Sequence, residues 1–466
     1  MVGATLREHA SSILVAGLGT AFGVALLQVT GALSDAVAAD DVAGSSRTVT
    51  VVLSVIGFVF ATIAIYVGAI VTANTFATIV AGRARTISLL RLIGASAATQ
   101  RRAIAREGLL AGVVGAVAGT VAGSAVAIAI VEWGRSSGLF SPFTPNYFHP
   151  VVLLPAGAVI LTTWLASWIG SRRVLTVTPL QAIGGAQELS REDTLARPRR
   201  NGAAVTLMVI GGAILVLGLF AGLVTPFAVL IGVVGGLLSF SGLVLGAHLV
   251  MPPALRLVGR IMPGGASAHL AAQNAIRYPE RSSRSTIGLV IGVTLVTMFG
   301  VAIASFREIV AAAQSAQPET YQGTNQVLDA VTLVFSILVG FSALIAAVGL
   351  VNSLSLTVLQ RTRELGLLRA LGFTIRQLRR MVLAEAAQLT ITAVLVGLIL
   401  GGIYGWVGAQ TLFGSIHGSP GIVAPGIPWT VIGALVAGSV ILTLIASVAP
   451  ARRATRVTPV TALAAE

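Results

Sequence analysis

Arg361-Thr-Arg-Glu-Leu-Gly-Leu-Leu-Arg-Ala-Leu-Gly372 is the stretch that decides the fold, because the chain contains two copies of it. The first copy along the chain is Arg83-Ala-Arg-Thr-Ile-Ser-Leu-Leu-Arg-Leu-Ile-Gly94, and the stretch quoted above is therefore the second copy. Another pair, at almost the same offset, consists of Ser171-Arg-Arg-Val-Leu-Thr-Val-Thr-Pro179 and Ala451-Arg-Arg-Ala-Thr-Arg-Val-Thr-Pro459. Matches at a nearly constant offset indicate an internal repeat. The chain therefore contains two similar units, each with a basic segment in its middle and a basic tail.

Composition assigns both units to a membrane. Of the 466 residues, 55% are hydrophobic and 10% are charged, whereas a typical soluble domain carries about 25% charged residues. A bilayer crossing needs about 20 mainly apolar residues, and the sequence contains ten apolar stretches of roughly this length. We predict that all ten span the membrane. They are residues 12–29, 49–71, 108–131, 151–170, 205–224, 227–249, 286–304, 327–351, 386–409 and 429–448.

The predicted fold is an all-α integral membrane protein of about ten transmembrane helices arranged as 4 + 2 + 4. Each unit holds an even number of spans, and so does the inserted pair. The second unit therefore has the orientation of the first, which gives two parallel four-helix repeats. The predicted parts are a first unit (1–185), a cytoplasmic basic linker (186–204), a two-helix insertion (205–250), a cytoplasmic connector (251–284) and a second unit (285–466).

The distribution of arginine predicts the orientation. All thirty basic residues are Arg, and 27 of them lie at the ends of the chain or in the connections after even-numbered spans. The other connections hold only Arg47, Arg135 and Arg307. By the positive-inside rule, both termini are in the cytoplasm. Ala36-Val-Ala38 resembles a signal-peptide cleavage site, but the apolar run before it is longer than that of a normal signal peptide, which favours a retained helix.

Several classes of function are disfavoured by composition. The net charge of +14 is distributed between apolar segments, which is typical of membrane orientation and not of nucleic-acid binding. A Walker A loop needs a Lys, and the chain has none, so we expect no standard ATP-binding cassette in it. The absence of Cys and the scattered His residues favour no metal site. We expect neither catalysis nor a bound cofactor.

The repeated basic segment predicts a docking element. In its second copy, Leu365, Leu368 and Leu371 share one helical face, which makes the piece amphipathic. Residues 361–380 are interpreted as two short helical pieces broken at Gly372, where glycine permits a sharp turn or a left-handed backbone. Such a segment can offer a charged face to a soluble partner. Attachment to anionic lipid head groups is the simpler alternative, although it does not require the same spacing twice.

Two carboxylates occupy matching positions at the predicted start of the third span in each unit. They are Glu107 and Glu385. One interpretation is stabilisation of a helix N-terminus through the helix dipole. The other is an ion pair with a nearby arginine, such as Arg379 or Arg380, that anchors the basic segment to the membrane helix.

The chain resembles the FtsX-like permease family of ABC transporters. The resemblance is carried by residues 361–386, by Ala272-Gln-Asn-Ala-Ile-Arg-Tyr-Pro-Glu-Arg281 and by the two Arg-Arg…Val-Thr-Pro tails. It implies a location in the bacterial cytoplasmic membrane and a coupling helix, Arg363 to Gly372, that docks into a separate cytoplasmic ATPase. The residues expected to couple to this ATPase are Arg83, Arg85, Arg91, Gly94, Arg361, Arg363, Glu364, Gly366, Arg369 and Gly372.

The resemblance also predicts the partners. ATP and Mg²⁺ are expected on the ATPase, which is expected in two copies, and membrane lipid is the other expected partner. Two features depart from the family pattern. Thr86 and Ser88 stand where the second copy has Glu364 and Gly366, and the outer loops 31–48 and 307–326 are too short for the large extracytoplasmic domain of well-known members.

The predicted function is that of an ABC permease subunit that exports or extracts a hydrophobic or amphipathic lipid, peptide or drug. An ATPase-coupled signalling or mechanotransmitting complex is the main alternative, although the short outer loops leave few docking surfaces for an external partner. An ion-coupled secondary transporter is less favoured. Such proteins keep ionisable residues within the membrane, whereas the central parts of the ten predicted spans contain none.

Overall fold

The computed structural model describes residues 10–38, 96–137, 144–147, 150–171, 198–261, 279–318, 371–416, 419 and 421–456, most of 55–74 and scattered positions in 332–347. In these residues the regular secondary structure is helical, as predicted, and a short 3-10 turn, Pro150–Val152, precedes α3. The α-helices are α1 (Ala10–Ala38), α2 (Ala97–Ser136), α3 (Leu153–Gly170), α4 (Pro198–Ala221), α5 (Ala228–Leu245), α6 (Ala247–Ile261), α7 (Pro279–Ala316), α8 (Ile375–Phe413) and α9 (Trp429–Arg456). Further helical turns occupy 57–63 and 65–71.

Seven of these helices are long and apolar enough to cross a membrane, namely α1, α2, α3, α4, α5, α7 and α8. Two shorter apolar helices, Gly57–Val71 and Trp429–Ile441, coincide with the second and tenth predicted spans. The predicted span 327–351 lies mostly outside the described residues. The chain is thus a multi-pass membrane protein, and the count of ten spans stays a prediction.

The repeat seen in the sequence reappears in the bounds of the helices. The residues before α2 and α8, Ser96 and Thr374, are separated by the same offset as the two copies of the basic segment, and each caps its helix with a hydroxyl oxygen that accepts a backbone N–H. The helices α1 and α7 end at Ala38 and Ala316, which are related by that offset again. Each unit then packs its helices in the same order, α1 on α2 on α3 and α7 on α8 on α9.

Glycines allow the paired helices to approach closely. Rows of glycine at every fourth position run along α2 (Gly115, Gly119, Gly123) and α8 (Gly397, Gly401, Gly405). A Cβ atom added to Gly401 would lie 2.6 Å from the carbonyl oxygen of Thr294 on α7. Small residues at interfaces are expected in a bilayer, where helices associate through close packing and not through the hydrophobic effect.

The two glycine rows do not meet their partner helices at equivalent points. Gly123 in the first unit lies against Ala21. Its equivalent in the second unit, Gly401, lies against Thr294 and Thr297. These two residues are about one helical turn away from the position that is equivalent to Ala21. That position holds Phe299. Its ring packs edge-on against Phe60 at 6.0 Å between ring centres. The two helix pairs therefore differ in the residues at which their helices meet.

Two predicted boundaries are wrong. The predicted sixth span, 227–249, ends earlier, at Leu245, and Gly246 separates it from α6. Helix α6 buries Met251, Leu255 and Val258 against α7 and α8. The predicted break at Gly372 is present, but the second piece is not short, because Ile375 to Phe413 form one helix of 39 residues.

The glycine row on α8 is tested by two neighbouring substitutions. Gly401→Leu should destabilise the protein by about 1–3 kcal/mol or prevent folding, because it forces α7 and α8 apart. Gly402→Leu is the control, because a Cβ atom there meets nothing within 4 Å. Thermal unfolding in detergent micelles measures both variants, and equal stability of the two would contradict the packing described here.

Candidate functional site

Most of the predicted coupling residues cannot be placed. Gly372 is described, and the other nine lie outside the described residues: Arg83, Arg85, Arg91, Gly94, Arg361, Arg363, Glu364, Gly366 and Arg369. Their role stays a prediction.

Gly372 adopts the left-handed backbone that the sequence permits. Its φ is +97°, and it lies exposed, two residues before the N-cap Thr374. The Gln377 backbone N–H donates to the Thr374 hydroxyl, and the Thr374 N–H donates to the Gln377 side chain, so the start of α8 is fixed by a capping box. A residue other than glycine would be strained at position 372. The turn and the capping box therefore fix the start of α8 at a defined point within the segment 361–380.

The two carboxylates do not lie at helix N-termini. Glu107 is the eleventh residue of α2, and Glu385 is the eleventh residue of α8. The helix dipole acts mainly within the first turn, so it does not explain their position. Glu385 is only 7% exposed, whereas Arg379 and Arg380, about one and a half turns earlier on the same helix, are exposed. Anchoring by these residues stays a prediction.

An arginine anchor is present in the first unit. The Arg101 guanidinium lies 4.5 Å from the centre of the Trp168 ring, and its Nε donates to the Ser171 hydroxyl at 3.4 Å. These contacts connect the start of α2 to the end of α3. Arg379, at the position equivalent to Arg101, is exposed, so the two units differ here.

One structural feature that the sequence did not reveal is an apolar cavity of about 130 Å³. Its walls come from both repeats and from the inserted α4–α5 hairpin, which had been predicted to belong to neither. The lining includes Phe60 and Tyr66 from the first unit, Phe240 from α5, Met298 from α7 and Tyr404 from α8. On α8 the lining begins at Tyr404 and reaches Phe413, so the cavity lies near the end of α8 that is far from Gly372.

Three aromatic rings connect the first unit, the hairpin and the second unit. Phe240 packs edge-on against Tyr66 and against Tyr404, with ring centres 6.4 Å and 6.1 Å apart. The Tyr66 hydroxyl donates to the Leu237 carbonyl oxygen at 2.9 Å and lies 2.7 Å from the Ser241 hydroxyl. Both tyrosines thus turn their polar ends towards α5, and the cavity keeps an apolar wall.

The hairpin is seated firmly on α8. Gly222 and Gly232 both approach Thr411, and a Cβ atom on Gly222 would lie 2.5 Å from the Thr411 Cα. The Ser239 and Tyr404 hydroxyls form a hydrogen bond of 2.9 Å. Leu215 and Val407 add a small apolar cluster beside these contacts. The inserted helix pair therefore forms one wall of the cavity and is fixed to α8.

The loop after α8 closes back onto α7 and α8. The Gln410 side chain donates to the Gly421 carbonyl oxygen at 2.7 Å. The Trp406 ring N–H donates to the Val423 carbonyl oxygen, also at 2.7 Å. The Gly426 backbone N–H donates to the Ser305 hydroxyl at 3.0 Å. The α8 residues that line the cavity are thus held at the far end of the helix by a hydrogen-bonded loop.

Sequence reasoning missed the cavity because it treated the spans as uniform apolar stretches. A signal was available in the five tyrosines of the chain. Tyrosine in membrane proteins favours the interface with water, yet Tyr66 and Tyr404 fall inside predicted spans. An aromatic hydroxyl at that depth needs an internal partner, which points to a contact between helices.

The architecture is that of a repeated multi-pass permease, and comparison with known proteins supports this class. Residues 58–179 and 336–459 each match the family described as FtsX-like permease C-terminal, and together they make up just over half of the chain. The chain belongs to the FtsX-like permease family. Both the internal repeat and the resemblance inferred from sequence are thereby confirmed.

The curated relatives are permeases of ABC transporters. The uncharacterized ABC transporter permease YknZ of Bacillus subtilis is 30% identical over 31% of this chain and 34% of its own length. The macrolide export ATP-binding/permease protein MacB of Nitrobacter winogradskyi is 36% identical over 28% of this chain and 19% of its own. The pyoverdine export ATP-binding/permease protein PvdT of Pseudomonas putida is 33% identical over 30% of this chain and 20% of its own length. The matches thus span about a third or less of each relative.

The contact between the hairpin and α8 is tested by a double-mutant cycle. Ser239→Ala and Tyr404→Phe should be coupled by about 0.5–1.5 kcal/mol in thermal unfolding, because either change removes the same hydrogen bond. Ser241→Ala combined with Tyr404→Phe is the control and should be additive, since Ser241 bonds to Tyr66 instead. Additivity of the first pair would show that the hydroxyl contact does not stabilise the hairpin.

Proposed function

We propose that this chain is the membrane-spanning permease subunit of an ABC transporter and exports a hydrophobic or amphipathic substrate. A separate cytoplasmic ATPase supplies the energy, and ATP and Mg²⁺ bind to that partner. The observation that carries the proposal is the continuity of α8. One unbroken helix begins three residues after Gly372, at the end of the predicted coupling segment, and contributes Tyr404 to Phe413 to the wall of the cavity.

A continuous helix can act as a lever that carries movement from its cytoplasmic end to the cavity. From Ile375 to Tyr404, at about 1.5 Å per residue, α8 extends about 44 Å. Displacement of the coupling segment by the ATPase would tilt α8 as a rigid body. The hairpin and the loop after α8 are bonded to the far end of this helix, so the cavity changes shape with it. Movement of packed helices as rigid bodies is a common mode of transporter switching.

The substrate class follows from the cavity and is consistent with the relatives. Macrolide and pyoverdine export are named functions of MacB and PvdT. The cavity of this chain is lined by aliphatic and aromatic side chains, and no charged side chain lines it among the described residues. A lipid, an amphipathic peptide or a hydrophobic drug would present a suitable apolar surface. Export follows the direction of those two relatives.

Two ATPase copies per chain are the simplest arrangement. Each unit supplies one predicted docking segment, with its basic residues on the cytoplasmic side and both termini in the cytoplasm. The two segments are unequal, because Thr86 and Ser88 replace the Glu364 and Gly366 of the second copy. The second unit would then make the stronger contact with the ATPase.

Combined substitution of Glu364 and Arg369 by alanine tests the coupling. The double variant should insert into the membrane normally but lose most ATP-driven transport, because a charged docking contact is removed. The measurement is transport of a fluorescent hydrophobic substrate in proteoliposomes that contain the co-expressed ATPase. Arg135→Ala is the control, since Arg135 is exposed and forms an ion pair with Glu132 within α2.

Three other results would contradict the proposal in different ways. Unchanged transport by the double variant would disprove the assignment of the coupling segment. ATPase stimulation by the wild-type chain without any transport would favour the signalling alternative. Transport driven by a proton or sodium gradient, with no ATPase bound after gentle purification, would establish a secondary transporter.

A further inference from the structure

We infer that the cavity is a binding site for a single uncharged hydrocarbon group of about six carbon atoms, either a ring or a chain end. This inference rests on the proposed function and specifies which part of a substrate the site recognises. The rest of an amphipathic substrate would lie outside the cavity.

The size of the cavity sets the first limit. Its volume of about 130 Å³ is close to that of an engineered apolar cavity of about 150 Å³ that stays dry and binds benzene. A macrocycle or a siderophore is several times larger than this volume, whereas one ring or one chain end matches it.

The polar groups of the lining set the second limit. The hydroxyls of Tyr66 and Tyr404 are bonded to α5, and the Thr411 hydroxyl donates to the Gly408 carbonyl oxygen at 2.9 Å. Thr294 is 3% exposed, and its hydroxyl oxygen is buried away from the cavity space. The lining hydroxyls are therefore either hydrogen-bonded or buried, and the cavity presents an apolar surface that suits an uncharged hydrocarbon group.

The glycines of the lining indicate that the space is maintained. Gly236 on α5 and Gly408 on α8 both line the cavity, and a Cβ atom on either would meet nothing within 4 Å. Glycine inside a helix is less favourable than alanine by about 0.5–1 kcal/mol, and larger apolar side chains at these positions would fill a void. Neither glycine is required by close packing. Both are explained if the cavity must stay open.

The experiment uses photolabelling of the full chain in lipid nanodiscs, without any ATPase. One probe is free 3-trifluoromethyl-3-phenyldiazirine, and the other is a phosphatidylcholine with a diazirine near the end of one acyl chain. Adducts are mapped by mass spectrometry. At least one probe should label cavity residues such as Met298 and Tyr404, and Gly408→Phe should reduce this labelling at least tenfold because its ring fills the space.

Gly402→Phe is the matched control. It lies on the same helix, its Cβ atom also meets nothing within 4 Å, and it does not line the cavity. Labelling of the cavity should persist in this variant. Labelling by the phospholipid would identify the occupant as a lipid chain, and labelling by the free probe alone would identify it as a solute. Absence of cavity labelling by both probes, or equal loss in both variants, would overturn the inference.

Because none of these measurements involves transport or ATP, their outcome is separate from that of the coupling experiment.

Discussion

Close approach of helix backbones is the interaction on which the rest of this structure depends. A bilayer provides little hydrophobic drive for helices to associate, so α1–α2 and α7–α8 are held by contact along rows of glycine. The hairpin uses the same device, because Gly218 and Gly232 bring α4 and α5 together and Gly222 seats their turn on α8. Larger side chains then decide what is left between the helices.

Aromatic rings border the cavity at the points where three parts of the chain meet. Phe60, Phe240 and Phe299 stand between the first unit, the hairpin and the second unit, and all three line the cavity. Glycine occurs both in the close helix contacts and in the lining, where Gly236 and Gly408 leave space. The inserted pair of helices is therefore more than a spacer between repeats. It supplies one wall of the cavity, and its contacts with Thr411 and Tyr404 connect that wall to the far end of α8.

Much of the organisation could be predicted from local patterns. Apolar stretches and arginine clusters alternate strongly enough to predict the spans. The match between the two basic segments, repeated at nearly the same offset by the two tails, predicts two units, and the family matches at 58–179 and 336–459 confirm them. Errors arose where apolar and helical sequence continued without interruption. The end of α5 at Leu245 has a local signal in Gly246, whereas the unbroken run of α8 through Arg379 and Glu385 had none that we recognised.

The sequence by itself determined that this chain spans a membrane, that it contains two like units, and that it belongs with permeases, because hydropathy, repetition and family motifs are properties of the linear order of residues. Only the tertiary structure decided where the cavity lies and what lines it. Tyr66, Phe240 and Tyr404 are far apart along the chain and belong to three different parts of it. Their contact depends on which faces of three helices meet, and that is settled by the sum of many close contacts.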